Sequence, residues 1–262
     1  MFNFCSLYSG SSGNCLFVET DNTKLLIDAG VSLKKIEEGL INMNIDPSTL
    51  DGILVTHEHS DHIKSLGSLS RKFDLPVFAN PKTYDAMPKQ VEKISDKNIN
   101  KFNVNEKFCI NDLEINPFSI HHDAANPCGF NFLNNDKKIS IATDIGHMDN
   151  DILKKLEGSS FIVLESNYDP EVLKYTKYPF LLKKRIAGPN GHLSNSMAGK
   201  VINYLLNNGL NTAMLGHLSK ESNFPALAYQ TVADEIISSG TDISKINLSV
   251  ASRDTVGDII HI

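Results

Sequence analysis

Residues 53–63 read ILVTHEHSDHI: three apolar side chains lead through Thr56 into His57, Glu58, His59, Asp61 and His62. The apolar run has to be buried. The polar groups behind it must then find water, partners or a metal ion. A solvated turn is the bland reading, but so dense a cluster behind a buried strand points to a site. His57 and His59 are two apart, so they project to the same side of an extended segment. Asp61 and His62 follow where the chain bends toward a helix near SLGSLSRKF. Two ligand pairs aimed in different directions suit two ions side by side better than one. Imidazole with carboxylate suits zinc, iron or manganese.

Two ions need about seven ligands, and the rest of the chain offers them in a repeated context. His121 and His122 follow the apolar run of FSI, Asp144 follows ISIAT, and His217 follows TAMLG. Each stands just past a strand-like stretch, where loops on a rigid scaffold carry functional groups.

Strand-like and helix-like pieces alternate. FCSLYS and CLFVET bracket a Gly/Ser turn, KLLIDAG is a strand running into a turn, and GILVT is a short buried strand. SLKKIEEGLINMNI has helical spacing, with Leu33, Ile36, Leu40 and Met43 on one face. KFCI, LEINPFSI, GFNFLN and KISIATD make the middle rich in strands. Beyond them DILKKLEG, SNSMAGKVINYLLNNG and PALAYQTVADEIISSG read as helices, the last opened by proline. FIVLES, TAMLGHLS and finally INLSVAS read as strands. Both halves have strands followed by helices. The simplest packing is two sheets face to face with helices outside, in a single domain over residues 1–262.

Charge and cysteine content narrow the setting. A net charge of −6 argues against holding nucleic acid by overall charge. A phosphate-bearing partner must meet a local basic patch or metal ions. The four cysteines, Cys5, Cys15, Cys109 and Cys128, are spaced irregularly and read as reduced. The N-terminal residues carry no basic leader, and no apolar run is long enough for a bilayer. The expectation is a cytoplasmic protein without a membrane partner.

H-x-H-x-D-H followed by His, Asp and His at strand ends resembles the ligand series of the metallo-β-lactamase fold. The resemblance spans essentially the whole chain. It implies a four-layer αββα sandwich with a dinuclear metal site at one edge. On that resemblance one ion takes His57, His59 and His122, the other takes Asp61, His62 and His217, and Asp144 bridges them. His122 is preferred to His121 because the family's ligand stands directly before aspartate. SGSSGNC, HHDAANPCGF, ATDIGH, LESNYD, GPNGHLSN and GHLSKESNFPALA look like the YycJ/WalJ (VicX) branch, which implies 5′-to-3′ exonuclease action on DNA ends. The chain is also similar to tRNA 3′-processing endonucleases, with VLESNYD and GHLSN at their glutamate and histidine motifs. It shows no counterpart of their long exosite arm.

The expected chemistry is phosphodiester cleavage by a hydroxide bridging two divalent ions, with Asp61 orienting it. His192 is the expected general acid, its other nitrogen held by Glu165. His147 is expected to support Asp144. YSGSSGNC either curls around an anion, with Ser11, Ser12 and Asn14 as donors, or is a plain hairpin turn. Ser194 and Asn195 are expected substrate contacts. So are Lys183, Lys184 and Arg185, in a basic strip interleaved with aromatics; a solvated helix face is the competing reading. The alternative function is a small-molecule hydrolase on the same fold, acting on a cyclic phosphodiester, a thioester or a lactone.

Overall fold

The computed structural model describes residues 1–88 and 93–262. In the first half strands β1 (Phe2–Tyr8), β2 (Cys15–Thr20), β3 (Lys24–Ile27), β4 (Gly52–Leu54), β5 (Val77–Ala79) and β6 (Ile99–Lys101) pair in chain order. β1, β2 and β3 are antiparallel, and β3 to β6 are parallel. In the second half β7 (Phe108–Ile110), β8 (Leu113–Ser119), β9 (Cys128–Asn134), β10 (Lys137–Ala142), β11 (Phe161–Glu165), β12 (Thr212–Gly216) and β13 (Asn247–Val250) form a second sheet. It repeats the scheme: β7 to β10 are antiparallel and β10 to β13 parallel. INLSVAS is not the last strand. β14 (Ile260–His261) follows, crosses back to the first sheet and pairs with β1. Its His261 is tied by Nδ1 to Asn3 Oδ1 at 2.8 Å, a structural contact.

The strands are apolar on both faces because both faces are covered. In β11, Phe161 and Val163 point to the layer between the sheets, and Ile162 and Leu164 to the outer helices. Phe4 of the first sheet meets Phe161 of the second with ring centroids 4.8 Å apart. Burying one such phenylalanine contributes about 1.5–3 kcal/mol. Outside the first sheet lie α1 (Leu33–Asn42), α2 (Ser60–Ile63), α3 (Leu66–Phe73) and α4 (Pro81–Ala86). Ile36 and Leu40 of α1 are buried as its spacing predicts, while Leu33 and Met43 are only partly covered. Outside the second sheet lie α5 (Asn150–Leu156), α8 (Asn195–Leu206) and α9 (Pro225–Ser238).

The excursion between β11 and α8 folds the strip of lysines and aromatics into two short helices, α6 (Pro170–Tyr175) and α7 (Phe180–Ile186). Tyr168, Leu173 and Ile186, with Tyr178 and Leu182 against them, give it a small core of its own. It leaves and returns at one point, where Tyr168 bridges Ser194. The two sheets with helices outside make an αββα sandwich. The parallel halves present their C-terminal strand ends along one edge, where ligand sites form in such sheets.

Candidate metal centre

Four strand ends deliver the cluster. The turn after β4 carries His57 and His59, and α2 carries Asp61 and His62. His122 follows β8, Asp144 follows β10, and His217 follows β12. His59 is the residue before the first turn of α2, so the bend expected after it is a helix start. Gly30 lets that helix seat. A Cβ at Gly30 would lie 1.6 Å from the carbonyl oxygen of Asp61. Asp144 and His217 have φ of 60° and 55°, as does Asp28 at 64°. Non-glycine residues in this left-handed region mark strain that the surrounding fold holds in place.

Ring nitrogens and carboxylate oxygens converge in overlapping groups. His57, His59 and His122 form one, Asp61, His62 and His217 another, and Asp144 joins His57 and His62 in a third, each with its ligand atoms within 4.8 Å of one another. His62 Nε2 lies 3.3 Å from Asp144 Oδ2 and 3.5 Å from Asp61 Oδ2, and His217 Nε2 lies 3.5 Å from Asp61 Oδ2. Of the adjacent pair, His122 enters the cluster. His121 is exposed and bonds Asp149 at 2.7 Å.

The outer nitrogens explain why the inner ones are free. His57 Nδ1 donates to Thr56 Oγ1 (3.0 Å), His62 Nδ1 to Asp28 (2.7 Å), His122 Nδ1 to the Gly191 carbonyl (3.0 Å) and His217 Nδ1 to Glu165 (2.9 Å). Such bonds fix the tautomer that leaves Nε2 for a cation. Nε2 of His57, Nε2 of His217 and Oδ2 of Asp144 are buried with no hydrogen-bond partner. Unpaired buried polar atoms are costly, and divalent cations facing histidine and carboxylate satisfy them. The donor set therefore fits metal ions.

The carboxylates and imidazoles of the cluster also shift one another's titration. Burial lowers the His57 pKa well below 6.5, with the neighbouring imidazoles adding to it. Burial pulls His62 and His217 the same way, but Asp144 and its fellow carboxylates overcome it. They raise His62 well above its ordinary value and His217 to about 10. Burial opposes the Asp61 charge, yet the His217 and His62 imidazoles, each 3.5 Å away, hold its carboxyl far below the usual carboxylate range.

Glu165 closes the site from beneath. Fully buried, it accepts at Oε1 from Nδ1 of His192 (2.8 Å) and of His217 (2.9 Å). At Oε2 it accepts from the backbone N–H of Ile145 (2.7 Å) and Leu193 (3.0 Å). Burial opposes its charge, and the two imidazoles, His192 first, keep it ionised with a lowered pKa. His192 Nδ1 is 3.8 Å from Asp144 Oδ1. The pair inferred from separate motifs is thus one hydrogen-bonded unit beside the cluster.

Other expectations divide. Ser11 and Arg185 line the cleft above the cluster, a cavity of about 230 Å³ roofed by Tyr178, Leu182 and Ile186. Arg185 is exposed and pairs with Asp123 through two nitrogens. Lys183 and Lys184 are on α7 away from that lining, Lys183 capping the Lys174 carbonyl at 2.6 Å. Ser12 is exposed outside it, and Ser194 caps α8 through the Met197 N–H. Two substrate contacts need correction. Asn14 is buried, accepting from Gly10 N–H (3.0 Å) and lying 3.1 Å from His62 Nε2. Asn195 is buried between Ser166 and Asn223. Both brace the site from behind and are shut off from a ligand. His147 does not support Asp144 either: it is exposed, with its ring 5.7 Å from that of His121.

Asp28 and Asn167 were missed. Asp28 accepts from His62, the Thr56 hydroxyl (2.9 Å) and the Thr56 N–H (2.9 Å). Asn167 donates to the His217 carbonyl at 2.7 Å and lines the cleft. The signal for Asp28 was present, since KLLID ends an apolar strand in a carboxylate just as ISIATD does.

Residues 23–217 match the family described as the Beta-lactamase superfamily domain. The chain is 38% identical over 243 residues to exodeoxyribonuclease YycJ of Bacillus anthracis, covering 93% of this chain and 92% of the relative. It is 38% identical over 237 residues to exodeoxyribonuclease WalJ of Streptococcus pneumoniae, covering 90% and 88%. Among solved structures, the metallo-beta-lactamase fold protein YhfI of Bacillus subtilis superposes with a TM-score of 0.72 at 15% identity, over 98% of this chain and all of that one. That last likeness is one of fold.

Proposed function

Because the chain belongs to the beta-lactamase superfamily, in the branch of YycJ and WalJ, and is a metal-dependent hydrolase, we propose that it is a dinuclear 5′-to-3′ DNA exonuclease. Its names come from the relatives; its support in this molecule is a proton-bearing imidazole held by a buried carboxylate beside the metal cluster. His57, His59 and His122 would hold one divalent ion, Asp61, His62 and His217 the other, with Asp144 between them. Zinc, manganese and iron all suit these ligands. Bound there, the ions supply Lewis acidity and a water acidified enough to be a nucleophile near neutral pH.

The chain's own residues do the rest. Asp61, partly exposed at the cleft, orients the attacking water. The Nδ1–H of His192 donates to Glu165, which stabilises the protonated ring and leaves Nε2 to hand a proton to the departing sugar oxygen. A leaving alkoxide needs that proton far more than a phenolate does. Ser11 and Arg185 meet phosphate oxygens in the cleft, Arg185 by exchanging Asp123 for phosphate. Lys183 and Lys184 follow the strand outward. Among the described residues no helix is long and apolar enough to cross a membrane. Action on DNA puts the protein in the cytoplasm with its substrate, as one domain over residues 1–262.

The test is digestion of DNA labelled at either the 5′ or the 3′ end, alongside bis-p-nitrophenyl phosphate, by protein stripped of metal and reloaded with manganese or zinc. Stepwise loss from the 5′ end, abolished by His59→Ala, is the expected outcome. Turnover of the small ester with DNA untouched would sink the proposal and favour a small cyclic phosphodiester as substrate.

A further inference from the structure

Arg253 is a guanidinium without a counter-ion. It has no ion-pair partner among the described residues, in contrast to Arg185, which Asp123 holds. It is half-buried, with Nη2 donating to the Leu218 carbonyl at 2.9 Å. Its Nε is buried with no hydrogen-bond partner, and Nη1 makes no bond to the described residues. Asp254, next in sequence, is exposed and does not pair with it. A guanidinium kept for packing alone would have its charge met and its buried N–H satisfied. This one spends a single donor of five on the protein.

Its surroundings say what the others are for. Leu218 follows His217 of the metal centre, and its carbonyl also accepts from the Ser11 N–H at 3.5 Å. Ser11 lines the cleft over the cluster. The guanidinium and the Gly/Ser loop thus meet at one oxygen. Gly10 leaves the room: a Cβ there would lie 3.0 Å from Arg253 Nε and 3.3 Å from its Cγ. The loop is closed on itself, Gly13 N–H on the Gly10 carbonyl (3.0 Å) and Gly10 N–H on Asn14 Oδ1 (3.0 Å). The hydroxyls of Ser11 and Ser12 and the Ser12 N–H carry no bond among the described residues, and both serines are exposed. A planar fork of N–H groups beside free hydroxyls is complementary to a tetrahedral oxyanion.

Resting on the nuclease reading, we infer that Arg253 and the Ser11–Ser12 turn form a second anion site beside the metal centre, which holds a phosphate group of the DNA next to the one being cleaved. Arg253 supplies the charge and two N–H groups, and the serines close on the remaining oxygens. The terminal monoester and an internal diester present the same oxygens, so either can fill it. The Gly/Ser loop is then an anion site whose cation comes from the far end of the chain.

The experiment compares wild type with Arg253→Gln and Arg253→Lys, each manganese-loaded, on duplex DNA with 5′-phosphate or 5′-hydroxyl ends and on bis-p-nitrophenyl phosphate. Binding is read by fluorescence anisotropy across a salt series, with the same changes made in His59→Ala protein, which does not cut. Arg253→Gln should weaken DNA binding and raise KM about 10- to 100-fold, with kcat on DNA and turnover of the small ester within twofold. The dependence of log affinity on log salt should flatten by about 0.9, one phosphate contact on a duplex. Arg253→Lys should restore that slope and only part of the affinity, because the charge returns without the fork. A loss confined to phosphorylated ends assigns the site to the terminal phosphate, and an equal loss on both ends to an internal one. Unchanged KM and salt slope in Arg253→Gln overturn the inference while the nuclease reading stands. An equal fall in turnover of DNA and small ester overturns it too, since Arg253 would then only brace the Leu218 turn. Wild type that turns over the small ester but no DNA removes both readings.

Discussion

Glutamine at position 165 is the most informative single change, because four N–H groups converge on one carboxylate. Oε2 is held by two backbone donors, at 2.7 and 3.0 Å. In Glu165→Gln they keep the amide oxygen and force the NH₂ toward Nδ1 of both His192 and His217. Each imidazole must then offer a lone pair at Nδ1 and move its proton to Nε2. His217 becomes a poorer metal ligand, and His192 loses the anion that stabilises its charged form. Hydrogen bonds to a charged partner are worth about 1.5–3 kcal/mol each, so two lost together remove about 3–6 kcal/mol. General-acid assistance is worth about 10²–10⁴ in rate, or about 3–5 kcal/mol, which is the same range. The expected result is a fall in kcat on DNA of about 10³, with metal affinity weakened about 10- to 100-fold. His192→Ala separates the two effects. It should keep wild-type metal content by atomic absorption, lose about 10²–10⁴ on DNA, and lose less than about tenfold on bis-p-nitrophenyl phosphate, whose leaving group departs without a proton. If His192→Ala slowed both esters equally, His192 would not be the acid. If Glu165→Gln kept full metal content and full rate, the shared-carboxylate argument would be wrong.

Asp144→Asn should reduce bound metal to one equivalent or less and lower activity at least about 10³-fold, and should also lower the melting temperature of the metal-free protein, since it takes from the His62 and His217 imidazoles the carboxylate that favours their charged forms; calorimetry with metal analysis checks this. Metal-free protein should lose stability as pH rises. The folded pKa of His217 is raised to about 10 from an ordinary 6.5, so its contribution is complete below about 6.5 and gone once pH passes about 10. Metal-loaded protein, whose imidazoles are already deprotonated, should show no such alkaline loss, and thermal melts from pH 6 to 10 with and without metal decide it. Lys183→Ala with Lys184→Ala should weaken DNA binding and flatten the dependence of log affinity on log salt by about 1.8, with the small ester unaffected; an unchanged slope would place these lysines off the DNA path.

The cluster was legible because its members share a sequence context: His57, Asp144 and His217 each end an apolar strand, and strand ends of parallel sheets meet along one edge. The layer order was legible from the alternation of strands and helices. What was lost is whatever depends on distance in space. Asn14 and Asn195 sit in polar loops that read as solvent-facing, and only the packing of Gly30 against α2, and of Ser166 and Asn223 around Asn195, shows that they are enclosed. His147 follows Asp144 by three residues, yet the left-handed turn at Asp144 sends the chain away and the ring to the surface. The strip of lysines and aromatics showed its composition but not its two faces, because a short helix has too few turns for its period to be read.

The left-handed backbone at Asp28, Asp144 and His217 filters which replacements evolution or an experimenter can use. Glutamate and cysteine are competent metal ligands, but only glycine, asparagine, aspartate and histidine occupy this conformation readily. At Asp144 and His217 the residue types that turn left with least strain and those that bind a cation overlap in aspartate and histidine. Exchange between those two should therefore be the common route to a different metal preference on this scaffold. Alanine substitutions there combine lost ligation with backbone strain, and will overstate what the side chain alone contributes.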